Sequence, residues 1–164
     1  MKLFISMDTA RQIYSVVYET AFEIGVTLFG EKEGQDFIVT AIAGPGPSVA
    51  PEEPHDPNNK DYATMIFNDL VKQNSALKRI GQLHVHPFAM KSLRPSELDT
   101  VKQVLKECDE FIAGVILRNP SLWDFKVFPV YFSRSDPEGI EMVVEFEGQE
   151  HRCYRHGFRR MGRR

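Results

Sequence analysis

Apolar and polar positions along this chain repeat with two different periods, and the switches between them mark out its elements. Residues 2–6, KLFIS, read as a short strand. Asp8 then suits an N-cap, and Ile13, Val16, Val17 and Ala21 follow at helical spacing. Residues 23–30, EIGVTLFG, are β-branched and apolar and stop at a glycine, the pattern of a buried strand. EKEGQ is a turn, and DFIVTAIAG returns as the second strand of a hairpin. Residues 45–59 hold five of the ten prolines, which excludes helix and interior strand and leaves a long loop of the kind that is usually functional or mobile. Met65, Ile66 and Leu70 recur at helical intervals across 61–76, and RIGQLHVH is a strand. Residues 87–95 form a loop, and Ser96 opens a third helix with Leu98, Val101, Val104 and Leu105 on one face. FIAGVIL, FKVFPVYF and EMVVEFEG are three more strands, the last two joined by the turn RSDPEG, with Trp123 and Phe125 packing at a loop edge. Three helices among about seven strands predict an α/β (α+β) domain, a central, mostly antiparallel mixed sheet flanked by helices.

Size and charge narrow this picture. A chain of 164 residues suffices for one domain and not comfortably for two. No stretch approaches the ~20 apolar residues of a membrane span. The opening segment has no apolar h-region, so a cytoplasmic chain is expected, with Cys108 and Cys153 as free thiols. The charge is uneven. Residues 150–164 carry six arginines against one glutamate, +5, leaving −8 of the net −3 on the rest. An acidic body argues against nucleic-acid binding by the domain as a whole. We therefore divide the chain into a domain over 1–149 and a basic, flexible tail over 150–164. GPGP matches neither the nucleotide P-loop nor the dinucleotide fingerprint.

The candidate chemistry lies in GQLHVHPFAMKSLRPSELD, residues 81–99. In a strand, residues two apart share a face, so His84 and His86 project together while Val85 points into packing. Two imidazoles on one face can both reach a zinc ion. Ser96 reads as a helix N-cap, placing Asp99 in the first turn, where the helix dipole favours a carboxylate. If the strand end and helix start adjoin, Asp99 becomes a third ligand, and two histidines, a carboxylate and an open fourth position describe a catalytic zinc. Such a site needs a general base. No HExxH helix supplies one, and Glu23, at the head of an apolar strand, is the better candidate over Glu19, which falls inside a helix. HxH alone is weak, and a serine before an aspartate is more often a simple cap. The ordered combination is what is specific.

That combination resembles the JAMM (JAB, MPN+) zinc metalloproteases: EIGVTLFG upstream, then His84 to Pro87 as HxHP, then Pro95 to Asp99 as PSxxD. The resemblance implies a cytidine-deaminase-like fold and one catalytic zinc held by His84, His86 and Asp99. It makes Glu23 the general base and Ser96 the donor to the oxyanion. It implies an isopeptidase that hydrolyses the bond after the C-terminus of a ubiquitin-like protein, for deconjugation or precursor maturation. The expected partners are that protein or its conjugates and E1- or E2-like proteins of the same system, as for stand-alone prokaryotic members, with no nucleic acid and no membrane. Two departures stand out. Val85 occupies a place usually held by serine or threonine, and nine residues separate His86 from Ser96 where the family has seven. The alternative from another class is a non-catalytic MPN-type scaffold binding a ubiquitin-like protein. A zinc deaminase would need HxE and PCxxC elements, which the chain lacks.

Overall fold

The strand-rich pattern builds a single sheet. The structure, a computed structural model, describes residues 1–19, 23–44, 60–86, 90–119 and 124–147. The proline-rich segment with His55, the residue Pro87, Trp123, and the basic tail with Cys153, His151 and His156 lie outside the described residues. The elements run β1 (Lys2–Ile5), α1 (Met7–Glu19), β2 (Gly25–Glu33), β3 (Asp36–Ala43), α2 (Lys60–Gln73), β4 (Lys78–His86), α3 (Pro95–Val104), β5 (Glu110–Asn119), β6 (Asp124–Ser133), β7 (Ile140–Glu141) and β8 (Val143–Phe146). The eight strands take the order β7-β6-β5-β4-β2-β3-β1-β8. Pairs β2–β3, β2–β4, β5–β6 and β6–β7 are antiparallel, while β1–β3, β1–β8 and β4–β5 are parallel. This is a mixed α+β domain with three helices on a nearly closed sheet. Among the described residues no helix is long and apolar enough to cross a membrane.

Strand alternation sorts side chains to the two faces. On the inner face Leu28, Leu83, Val85, Ile112 and Ile116 pack with Ala10, Ile13 and Val17 of α1. On the outer face Phe111, Ala113 and Phe132 meet Val101 and Leu105 of α3. Phe29 and Ala43 meet Ala63 of α2 there as well. The outer face of β4 also carries His84 and His86, so these two histidines stand on the side covered by α3.

Three local expectations are corrected. Ser6, not Asp8, caps α1: its hydroxyl accepts the Thr9 N–H at 3.1 Å, and Asp8 lies inside the helix, paired with Arg11. EMVVEFEG is not one strand. β7 pairs with β6, while β8 joins the opposite edge beside β1. The sheet curls enough for that step to be short: Phe125 of β6 and Phe146 of β8 meet edge to face at 6.3 Å. Phe125, expected at a loop edge, is therefore core, 5% exposed.

Gly30 sits at a bulge in β2, where the register with β3 shifts. A Cβ there would stand 1.9 Å from the Ile38 carbonyl oxygen. The obstacle is ladder backbone, which cannot swing aside as a side chain can. Gly30→Ala is expected to destabilise the fold by about 1–3 kcal/mol. The check is a lower urea midpoint at unchanged slope.

Candidate functional site

The end of β4, the segment before β2 and the start of α3 converge. Gly25 pairs with His84, and Val85 donates its N–H to the Ile24 carbonyl at 2.9 Å. Glu23, two residues before Gly25, is thereby carried alongside His86. It stands just ahead of the strand and not within it, and its side chain is 42% exposed. The cost of burying an acid in a strand is thus avoided, and the partner anticipated for it is Arg94. The Arg94 guanidinium donates from both terminal nitrogens to the two Glu23 oxygens, each at 2.5 Å.

The start of α3 differs from the expected one. Arg94 is the N-cap, Pro95 takes the first helical position, and Glu97 is third. Glu97 folds back, its Oε2 accepting the Arg94 backbone N–H at 2.6 Å. Its Oε1 lies 2.9 Å from Nε2 of His86 and 3.6 Å from Nδ1 of His84. Glu97, not Asp99, is therefore the carboxylate brought to the histidines. Residues two apart on a helix point nearly opposite ways at ~3.6 residues per turn, so with Glu97 turned inward Asp99 must turn outward. Asp99 is 72% exposed beside Lys102. Ser96 is exposed at the second helical position rather than capping the helix. Glu97 and Arg94 lie outside the candidate set that the motifs point to, although both carry a signal in the sequence. A glutamate three residues after a cap is half of a capping box. The seven-residue spacing implied by the resemblance, counted from His86, ends at Arg94 with Glu97 three beyond. No longer loop is then needed.

Nδ1 of His86 faces the Met90 carbonyl at 3.2 Å, and its Nε2 faces Glu97 at 2.9 Å. Both partners offer acceptor oxygens. His86 is 1% exposed, which makes an uncompensated carboxylate beside it costly. Burial pushes His84 down from its ordinary pKa, against the opposing pull of Glu97, and so favours the neutral imidazole that ligates metals. Two imidazoles and a carboxylate are a donor set that suits zinc, and the Met90 carbonyl is the kind of outer partner that orients a ligating histidine. Among the described residues no three or more His, Cys, Asp or Glu side chains are arranged to hold a metal ion. Glu97 is hydrogen-bonded to His86 at 2.9 Å, with His84 further off at 3.6 Å.

No family model matches the chain, and no curated protein matches it. Among solved structures, protein DSY2949 from Desulfitobacterium hafniense, a structural-genomics target, is similar at a TM-score of 0.62 and 12% identity, over 94% of this chain and 98% of that one. At that identity the likeness speaks for the fold alone.

The Arg94 guanidinium holds the Glu23 carboxyl below the ordinary glutamate value, and the two histidines act in the same direction. A depressed folded-state pKa adds stability above the ordinary glutamate range, and that stability is lost as pH falls through the depressed value. Both side chains are at least a third exposed, so the contribution is at most about 1 kcal/mol. In Arg94→Ala, Glu23 should titrate at higher pH than in the parent, as followed by carboxyl NMR. An unchanged titration would show that the ion pair does not form in solution.

Proposed function

We propose that this chain is a zinc-dependent isopeptidase of the JAMM type, cleaving the bond after the C-terminus of a ubiquitin-like protein, in deconjugation or maturation. The observation that carries the reading is the convergence of His84, His86 and Glu97 beside a second carboxylate on Glu23. His84, His86 and Glu97 would hold the zinc, Glu97 taking the part the resemblance gives to Asp99. Zinc held there would supply Lewis acidity for the attack of water on the scissile carbonyl. Glu23 takes the proton of the attacking water and returns it to the leaving amine, so hydroxyl goes to carbon and hydrogen to nitrogen. Arg94, at the place implied for the serine, holds Glu23 in position through both terminal nitrogens. Ser96 has no comparable place, two residues further along and exposed. The cytidine-deaminase-like JAMM architecture, the ubiquitin-like partner, the E1- or E2-like proteins and a cytoplasmic setting belong to this same proposal.

One observation favours the scaffold reading. Both carboxylates are already engaged, Glu23 by Arg94 and Glu97 by the histidines and the helix cap. A site whose acids stay paired would bind without cleaving.

Metal analysis separates the two. The wild-type chain should carry one zinc per molecule, His84→Ala and Glu97→Ala should lose it, and Asp99→Ala should keep it. Cleavage of a ubiquitin-like fusion should fall about 10²–10⁴-fold in Glu23→Gln with zinc retained, the range set by loss of a general base. A zinc-free wild type overturns the isopeptidase reading. Tight binding of a ubiquitin-like protein, without cleavage and unchanged in Glu97→Ala, establishes the scaffold.

A further inference from the structure

The histidine cluster already contains a cation. Arg94 donates from both terminal guanidinium nitrogens to the two Glu23 oxygens. Its backbone N–H is held by Oε2 of Glu97 at 2.6 Å. One residue thus touches both carboxylates, Glu23 by its side chain and Glu97 by its main chain. Both acids stabilise the guanidinium, Glu23 most and Glu97 after it. A guanidinium keeps its charge at every ordinary pH. Its hold on Glu23 is therefore broken by a competing charge and not by titration of the arginine.

Charge and mechanics both bear on what a divalent cation does here. With the histidines neutral, the two carboxylates outnumber the one guanidinium by a single negative charge. A dication at His84, His86 and Glu97 reverses that sign and sets like charges side by side. Arg94 is the member free to give way: its side chain is 35% exposed, whereas that of His86 is 1% exposed. Among the described residues no three such side chains are yet arranged to hold a metal ion, Glu97 lying 2.9 Å from His86 and 3.6 Å from His84. Taking a cation draws Glu97 out of its present contact with His86. Glu97 is also what fixes the Arg94 main chain, so its movement is passed to the arginine.

We propose that Arg94 is an internal competitor for the cation: the guanidinium holds Glu23 in the metal-free chain, and cation binding at His84, His86 and Glu97 releases it. The proposal rests on the zinc site of the isopeptidase reading and adds a condition to it, that the general base is free only in the loaded chain. Paired acids and a catalytic site are then two states of one cluster. The two equilibria are linked. By whatever factor cation binding weakens the Arg94–Glu23 pair, the pair weakens cation binding.

The probe is Zn²⁺ alone, titrated into the full chain in competition with a chromophoric chelator. Arg94→Ala removes the guanidinium and keeps the backbone N–H that Glu97 accepts. This variant should bind Zn²⁺ about tenfold more tightly than the wild type, inside the ~5–150-fold range of such couplings. The difference should shrink at about 1 M salt, where the screening length falls to about 3 Å. A second measurement needs no variant and decides alone should Arg94→Ala fail to fold. Carbodiimide coupling to a small amine, located by tandem mass spectrometry, reports which carboxylates are free, with Asp99, 72% exposed, as the reference. In the metal-free wild type Glu23 should react far more slowly than Asp99, and saturating Zn²⁺ should raise its rate several-fold. Equal or weaker Zn²⁺ binding by a folded Arg94→Ala overturns the coupling. So does Glu23 labelling that is fast without Zn²⁺ or unchanged by it. Those results leave a zinc-binding chain and the isopeptidase reading in place. Zn²⁺ binding by neither protein is the separate outcome that removes the reading and the coupling together.

Discussion

One carboxylate ties the end of β4 to the start of α3. Glu97 accepts the backbone N–H of Arg94 with one oxygen and faces two imidazole nitrogens with the other. The first four N–H groups of a helix have no partner within it, so a residue that satisfies one of them also sets where the helix begins. Glu97 does so while bonded to a histidine that is 1% exposed. Hydrogen bonds to charged groups are worth about 1.5–3 kcal/mol each, and more is lost when a buried partner is left alone. From Arg94 the linkage continues through its guanidinium to Glu23. His86, Glu97, Arg94 and Glu23 therefore form one connected line of polar contacts that joins the end of β4, the start of α3 and the approach to β2.

The sheet gives that line its setting. β4 is central, flanked by β2 and β5, and its alternate residues divide sharply between faces. Leu83 and Val85 enter the core beneath α1, while His84 and His86 face the α3 side. The antiparallel pairing of β2 with β4 delivers Glu23 beside His86, and the parallel pairing of β5 leads outward to β6. The sheet curls until Phe125 of β6 meets Phe146 of β8 and the Met142 N–H reaches the Pro129 carbonyl. A flat sheet of the same strand order would hold β6 and β8 at opposite extremes. Curvature thus encloses the inner core.

Much of the fold was legible in the sequence because it follows from local period and local turn chemistry. Valine, isoleucine and phenylalanine in runs bounded by glycine marked β2 and β3, and the β2–β3 hairpin followed from the turn between them. The misreadings share a cause. Asp8 and Ser6 both suit a cap, and only the position of the first turn decides between them. Likewise PSELD offers Ser96, Glu97 and Asp99 as polar residues of one short segment. A shift of two residues turns a helical side chain through more than half a circle. EMVVEFEG has the composition of one strand, and nothing local to it reports that the two edges of the sheet pass close together.

The shared face of His84 and His86 and most of the order of helices and strands were already present in the sequence. Both follow from hydrophobic period, a property that a few consecutive residues possess on their own. Which carboxylate meets the histidines, which cation holds Glu23, and the division of EMVVEFEG between the two edges of the sheet were settled in three dimensions. Those outcomes depend on the rotational phase of α3 and the curvature of the sheet, and both are set by contacts between segments that lie tens of residues apart.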